Sequence, residues 1–247
     1  MKTRIVISCA GLWLLSASIL AAEPSAQFAK ANQEYAAGDF KAAIDDYETL
    51  VRAGQDTANL FYNLGNAYFR KNDFGRAILN YERAVALDAH HPEAEANARI
   101  ARDEARALEL VPTRSDRLFA FANENQLVVT AAIAFWIGIF SFAAWIIGRR
   151  RSRSAFALSI LSLSLFAIAV VASCQLSRGK NGPGLAIVTG DKVDARLATA
   201  DNANRVLTLP AGSEIKIVSQ RGDWIYAALP NNMRGWIPAN SAEQVRF

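Results

Sequence analysis

The sequence predicts a multidomain membrane protein in which an all-α solenoid of helical repeats and a small all-β barrel flank a two-helix transmembrane hairpin. Three observations carry that prediction. The N-terminal half resembles itself at a shift of 34 residues, two later stretches contain no charged residue, and the C-terminal part breaks into short β-type runs between turns. Composition agrees: of 247 residues, 52% are hydrophobic and only 20% charged, because the two uncharged stretches dominate the average. The net charge of +4 does not point to nucleic acid. Four of its arginines, Arg149, Arg150, Arg151 and Arg153, sit together between apolar runs, which is the pattern of membrane topology.

Residues 1–22 read as a secretory signal peptide. Lys2 and Arg4 precede the apolar residues 5–20, and Ala21-Ala22 is followed by the polar Glu23-Pro24-Ser25. Cleavage is expected after Ala22. Leu20, in the third position before that bond, leaves an uncleaved signal anchor as the alternative, with the same topology. Cys9 would depart with the signal, so Cys174 has no intramolecular partner and no disulfide framework is expected.

Residues 23–111 form the repeat domain. At the 34-residue shift Asn32 pairs with Asn66, Asp39 with Asp73, Phe40 with Phe74, Ala43 with Ala77, Tyr47 with Tyr81 and Val51 with Val85. In the second copy Phe61, Leu64, Gly65, Tyr68, Ala77, Tyr81 and Ala84 resemble the key positions of the tetratricopeptide repeat (TPR). Small residues at Gly65 and Ala77 allow two antiparallel helices to approach. Two repeats leave an apolar end face, and residues 92–110, rich in Ala, Glu and Arg, supply a capping helix that can run on towards Pro112. In TPR folds the first helix of each repeat lines a concave surface. There Asn32, Asn63, Asn66 and Asn97 recur, with Arg70 one turn after Asn66, and their amides can bond an extended peptide backbone. Replacing Asn63 and Asn66 with Ala is therefore expected to weaken partner recruitment at little cost in stability; the alternative is a merely solvated polar face.

A linker, 112–125, leads to an uncharged run at 126–148, about 23 residues, where about 20 helical residues cross the hydrocarbon core. A second run occupies 155–177. The loop between them, 149–154, is arginine-rich and therefore biased to the cytoplasm. An exported N-terminus requires the same orientation. The chain is thus expected in a bacterial inner membrane, in contact with membrane lipid, with both soluble domains on the periplasmic side.

After a second linker, 178–184, β-type runs at 185–189, 192–196, 206–209, 214–218, 224–229 and 234–237 alternate with turns such as Arg221-Gly222-Asp223. The Leu209-Pro210-Ala211-Gly212 turn, the Gly222-Asp223-Trp224 strand entry and the late Gly235-Trp236-Ile237 resemble the bacterial SH3 (SH3b) family, which implies a small barrel over 185–247. Trp224 and Trp236 are read first as core residues contributing most of the apolar burial and second as a ligand surface.

The order of these modules resembles BatE-type proteins of bacterial aerotolerance operons. That resemblance implies stress tolerance and envelope partners carrying von Willebrand factor A domains. The residues themselves give no catalytic set. His90 and His91 are the only histidines, adjacent in a turn and expected to point apart into solvent. Cys174 has no histidine nearby in sequence, and no phosphate-binding glycine loop is present. No enzyme activity, metal or cofactor is expected. The leading expectation is a scaffold that recruits an envelope protein through the repeat surface. The alternative is a cell-wall sensor binding peptidoglycan through the β domain.

Overall fold

The computed structural model describes residues 26–112, 114, 117, 124–148, 152–178, 182 and 184–246. The signal segment, most of the 112–125 linker and Arg149, Arg150 and Arg151 lie outside the described residues.

Five helices build the N-terminal unit: α1 Ala26–Ala36, α2 Phe40–Arg52, α3 Ala58–Arg70, α4 Phe74–Leu87 and α5 Pro92–Ala105. Their caps repeat with the sequence. Asp39 and Asp73 each accept a backbone N–H three residues on, from Ala42 and Arg76, both at 3.1 Å. Thr57 and His91 do the same for Leu60 and Ala94 at 3.2 and 3.3 Å. The turns after α1, α3 and α5 all hold a left-handed residue, Gly38 (φ 83°), Asn72 (φ 60°) and Arg106 (φ 51°), each 34 positions after the last. Helix α5 is therefore the first helix of a third unit. It stops at Ala105 instead of continuing towards Pro112, because Arg106 turns the chain away.

The apolar spacing explains the packing. Ala43, Tyr47 and Leu50 place one face of α2 inside, and Leu60, Phe61, Leu64, Ala67 and Tyr68 do so for α3. At Gly65 a Cβ would stand 2.7 Å from the Tyr81 ring and 3.2 Å from the Ala77 carbonyl, so only glycine permits this α3–α4 approach.

Two further helices, α6 Glu124–Ile147 and α7 Arg153–Arg178, are long and apolar enough to cross a membrane. They form an antiparallel hairpin. Trp145 meets Phe156 (4.9 Å between ring centroids), Phe135 meets Phe166 (5.3 Å), and Ser159 Oγ donates to the Gly138 carbonyl at 3.1 Å. Small residues make the seam, with Ala131, Ala134, Ala169 and Ala172 buried, while Trp136, Phe140, Leu161 and Ile147 point outward.

The C-terminal unit is one antiparallel sheet of β1 Leu185–Val188, β2 Lys192–Arg196, β3 Arg205–Pro210, β4 Glu214–Arg221, β5 Trp224–Ala228, β6 Arg234–Pro238 and β7 Ala242–Gln244. The strand order is β3-β2-β6-β5-β4-β1-β7. The two end strands, β3 and β7, do not pair, so the expected barrel is corrected to an open sheet. The reason lies at β1. All four of its residues are buried, because Ala186 and Val188 face the sheet's own core while Leu185 and Ile187 join the apolar cluster of the helices. That end of the sheet is committed to the helical unit and is not available to close on β3.

The two soluble units are thus not independent modules, as the sequence suggested, but docked. Leu185, Ile187 and Val245 pack with Ile78, Leu79, Ala98 and Ala101. Burying a Leu or Ile side chain contributes roughly 1.5–3 kcal/mol, so this contact stabilises the docking. Beyond Arg106 the chain runs beside the sheet. The Leu108 N–H donates to Ser213 Oγ at 3.1 Å, the Glu214 N–H to the Leu108 carbonyl at 2.8 Å, and the Leu110 N–H to Glu214 Oε2 at 3.0 Å. Gly212 (φ 79°) lies so close that a Cβ would be 2.2 Å from Ile78 Cδ1. Leu108 is the position at which Phe40 and Phe74 open the second helices of their units. The sheet stands where the next helix would have packed.

Ion pairs register this junction. Arg102 bridges Glu82 and Glu214, the latter at 3.2 Å and only 2% exposed. Burial pulls the Arg102 guanidinium down, but Glu82 and Glu214 more than offset it and hold it above its ordinary range. Arg83 donates to the Gln244 carbonyl (3.1 Å) and Glu243 (3.3 Å), and burial lowers its pKa. The chain before and after the hairpin bonds the same strand, β4: the Leu110 N–H donates to Glu214, and the Gly184 carbonyl accepts from the Ile217 N–H at 2.8 Å. Because the helical unit and the sheet are docked, they lie on the same side of any membrane the hairpin crosses.

Candidate functional site

Helices α1, α3 and α5 present the concave side, and the asparagines singled out there form a repeated network. Asn32 Oδ1 accepts from the Tyr47 hydroxyl (2.6 Å) and from Asn63 Nδ2 (2.9 Å). One repeat on, Asn66 Oδ1 accepts from the Tyr81 hydroxyl (2.8 Å) and from Asn97 Nδ2 (2.9 Å). Each amide pair ties one first helix to the next and satisfies a buried phenol. The expectation that Asn63 and Asn66 can be replaced at little cost in stability is therefore corrected. Among the described residues the second amide atom of each asparagine makes no hydrogen bond and can take a ligand. Arg70 is not part of this network. Its guanidinium lies over the Phe40 ring, 4.5 Å from the centroid, at the turn end of α3.

Above Asn63 the concave side opens into a groove of about 520 Å³. Phe28 and Tyr62 form its aromatic wall, Asn59 and Asn63 its floor, and Asp88, His90, His91 and Glu93 its rim. Phe28 and Tyr62 do not stand out as a wall in the sequence, although they are themselves 34 residues apart. The expectation that both histidines point into solvent is corrected for one of them. His90 is exposed, but His91 is 9% exposed, stacked on Tyr62 with ring centroids 4.9 Å apart while its Nδ1 caps α5. A helix cap must turn inward to reach the first-turn N–H groups, which is why the two neighbours differ.

The second candidate surface lies on the sheet. Ile225, Ala227, Gly235 and Ile237 face its buried core, and by strand alternation Trp224, Tyr226 and Trp236 face the other way. Both tryptophans are partly buried and outside the core cluster, so their assignment as core residues is corrected. Small and aliphatic side chains fill that core, since Gly235 brings β6 within 3.1 Å (ideal Cβ) of Ala195, which leaves no room for an indole. Tyr226 and Trp236 are directly paired across β5 and β6 and their rings lie 4.9 Å apart. Arg196 stands opposite Trp236 on β2. Tyr226 and Arg196 were not singled out in the sequence, because alternation becomes meaningful only once the strand register is known.

Residues 28–92 match the tetratricopeptide repeat family. No significant match is found among curated proteins. The TPR match runs from within α1 to Pro92, the first residue of α5; it covers Asn32, Asn63 and Asn66 and all of the groove lining except Glu93, and Asn97 lies beyond it.

The TPR tyrosines make the fold sensitive to alkali. Burial pushes Tyr47 up to about 12, and it also raises Tyr68 and Tyr81, with Glu48 adding to the effect at Tyr68. Unfolded phenols ionise near pH 10. Since the folded values are raised, this contribution to stability is complete below pH 10 and is lost as pH rises through 12. Urea midpoints should therefore fall steeply between pH 10 and 12, and Tyr47→Phe should flatten the slope. An equal slope in that variant would show the tyrosine is not responsible.

Asn66→Ala strands the Tyr81 hydroxyl, whose residue is 1% exposed, and should destabilise the TPR unit by about 1–3 kcal/mol. Asn63→Ala removes one donor from an acceptor that Tyr47 still occupies, and about 0.5–1.5 kcal/mol is expected. Denaturant titrations that place the two variants in the opposite order would contradict this reading of the network.

Proposed function

We propose that the protein is a non-catalytic, membrane-anchored adaptor that recruits a protein partner through the TPR groove. The observation that carries this reading is the groove itself: an open concavity of about 520 Å³ with an aromatic wall beside a row of orientated amides, on a repeat family suited to protein–protein contacts. Asn32, Asn63, Asn66 and Asn97 would bond the partner's backbone, and Arg70 would flank them. The hairpin of α6 and α7 would anchor the protein in a bacterial inner membrane, and the arginine-rich loop favours a periplasmic position for both soluble units. The similarity of module order to BatE-type proteins supports a place in a stress-tolerance complex with von Willebrand factor A-domain partners.

A photo-crosslinking residue at Asn59, on the groove, should give a protein adduct in cells, whereas one at Asp45, on the exposed side of α2, should not. Adducts at both sites in equal yield, or at neither, would remove the proposal.

The outward stack of Tyr226 on Trp236 favours a second reading, in which the SH3b-like sheet binds peptidoglycan. Trp236→Ala should then reduce sacculus pull-down of the full chain severalfold while changing stability by less than about 1 kcal/mol. Undiminished pull-down would exclude this surface.

A further inference from the structure

The lining of the TPR groove joins two carboxylates to aromatic rings. Asn63, which lines the groove, commits Nδ2 to Asn32 Oδ1 at 2.9 Å, so the polar atom it keeps for a ligand is its carbonyl oxygen, an acceptor. The carboxylates of Asp88 and Glu93 stand on the rim; Asp88 Oδ1 accepts the His90 N–H at 3.0 Å and Glu93 Oε2 lies 3.2 Å from His91 Nδ1, while the Glu93 side chain stays 64% exposed and open to a further partner. No lysine or arginine lines the cavity among the described residues. The wall is aromatic: Phe28 leans on Tyr47 with ring centroids 5.9 Å apart, and Tyr62 is held between Tyr81 and His91. The Tyr62 hydroxyl makes no hydrogen bond among the described residues. Oxygen acceptors, two negative charges and aromatic faces around one concavity fit a donor-rich cation and disfavour a carboxylate.

We infer that the groove takes a Lys- or Arg-bearing extended segment of the partner, with the cationic side chain between the Asp88 and Glu93 carboxylates and against the Phe28 and Tyr62 rings. This rests on the adaptor reading above and adds the partner's chemistry.

The test is fluorescence anisotropy with the full chain in a neutral detergent at low salt. The probes are two extended Gly-Ser peptides with a neutral dye, one carrying three arginines and the other three glutamates. The arginine peptide should bind at least about tenfold more tightly. Asp88→Asn with Glu93→Gln should remove that preference, Glu93→Lys should reverse it, and Tyr62→Leu should weaken the arginine peptide alone. Equal binding of the two peptides, or an arginine preference that survives the charge-removing double variant, would overturn the inference. The two levels separate in the crosslinking experiment. An adduct at Asn59 to a partner segment without Lys or Arg overturns this inference and leaves the adaptor standing, whereas no adduct at all removes both.

Discussion

Replacing Gly65 with Leu should unfold the TPR unit. The glycine has no space for a Cβ, which would already lie 2.7 Å from Tyr81 Cε1 and 2.8 Å from Cδ1, and Tyr81 is 1% exposed and cannot swing into solvent. A leucine would force α3 and α4 apart and break the bond from Tyr81 to Asn66 as well. Overpacking costs about 1–3 kcal/mol where a core can adjust, and more here, against a typical domain stability of about 5–15 kcal/mol. Hydrogen exchange should show protection lost across α3 and α4 while α6 and α7 stay protected. Gly65→Ala should fall between Leu and the parent. Protection in the leucine variant equal to that of the parent would show that the helix pair can open without loss.

Arg102→Ala should undock the sheet from the helices. It leaves two carboxylates facing each other, and Glu214, at 2% exposure, cannot reach water without moving the strand that carries it. Removing one partner of a buried pair costs about 3–5 kcal/mol, largely from the charge left behind. The apolar contact of Leu185 and Ile187 then no longer suffices. Adding Glu214→Gln to Arg102→Ala should restore part of the loss, since a neutral amide still accepts from the Leu110 N–H. Hydrogen exchange at residues 107–110 and 185–188 reads this directly. Unchanged protection there in the single variant would mean that the ion pairs do not hold the junction.

The repeat was legible because each helix buries its face against its neighbour in sequence, so the pattern of Asp39, Phe40, Ala43 and Tyr47 returns as Asp73, Phe74, Ala77 and Tyr81. The two long apolar helices were legible for a similar local reason: length and the absence of charge are properties of a single segment. The strands were mostly placed, and β7 was missed because its three residues, Ala242–Gln244, are too few to show alternation.

What stayed hidden depended on contacts between distant residues. Glu214 reads in the sequence as an ordinary strand carboxylate, and only docking puts Arg102, more than a hundred residues earlier, beside it. Trp224 and Trp236 read as core because tryptophan is large and apolar, yet the face they occupy is decided by the register of β5 against β6. Likewise the run Leu185–Val188 predicts a strand, but burial on both of its faces, and with it the open sheet, follows from a helical unit that the hairpin brings back to its side. The sequence by itself determined the elements, their order and the repeat, since these are set by the periodicity of short-range burial. The tertiary structure alone decided which faces are free to bind, because that depends on which surfaces, far apart in the chain, cover one another.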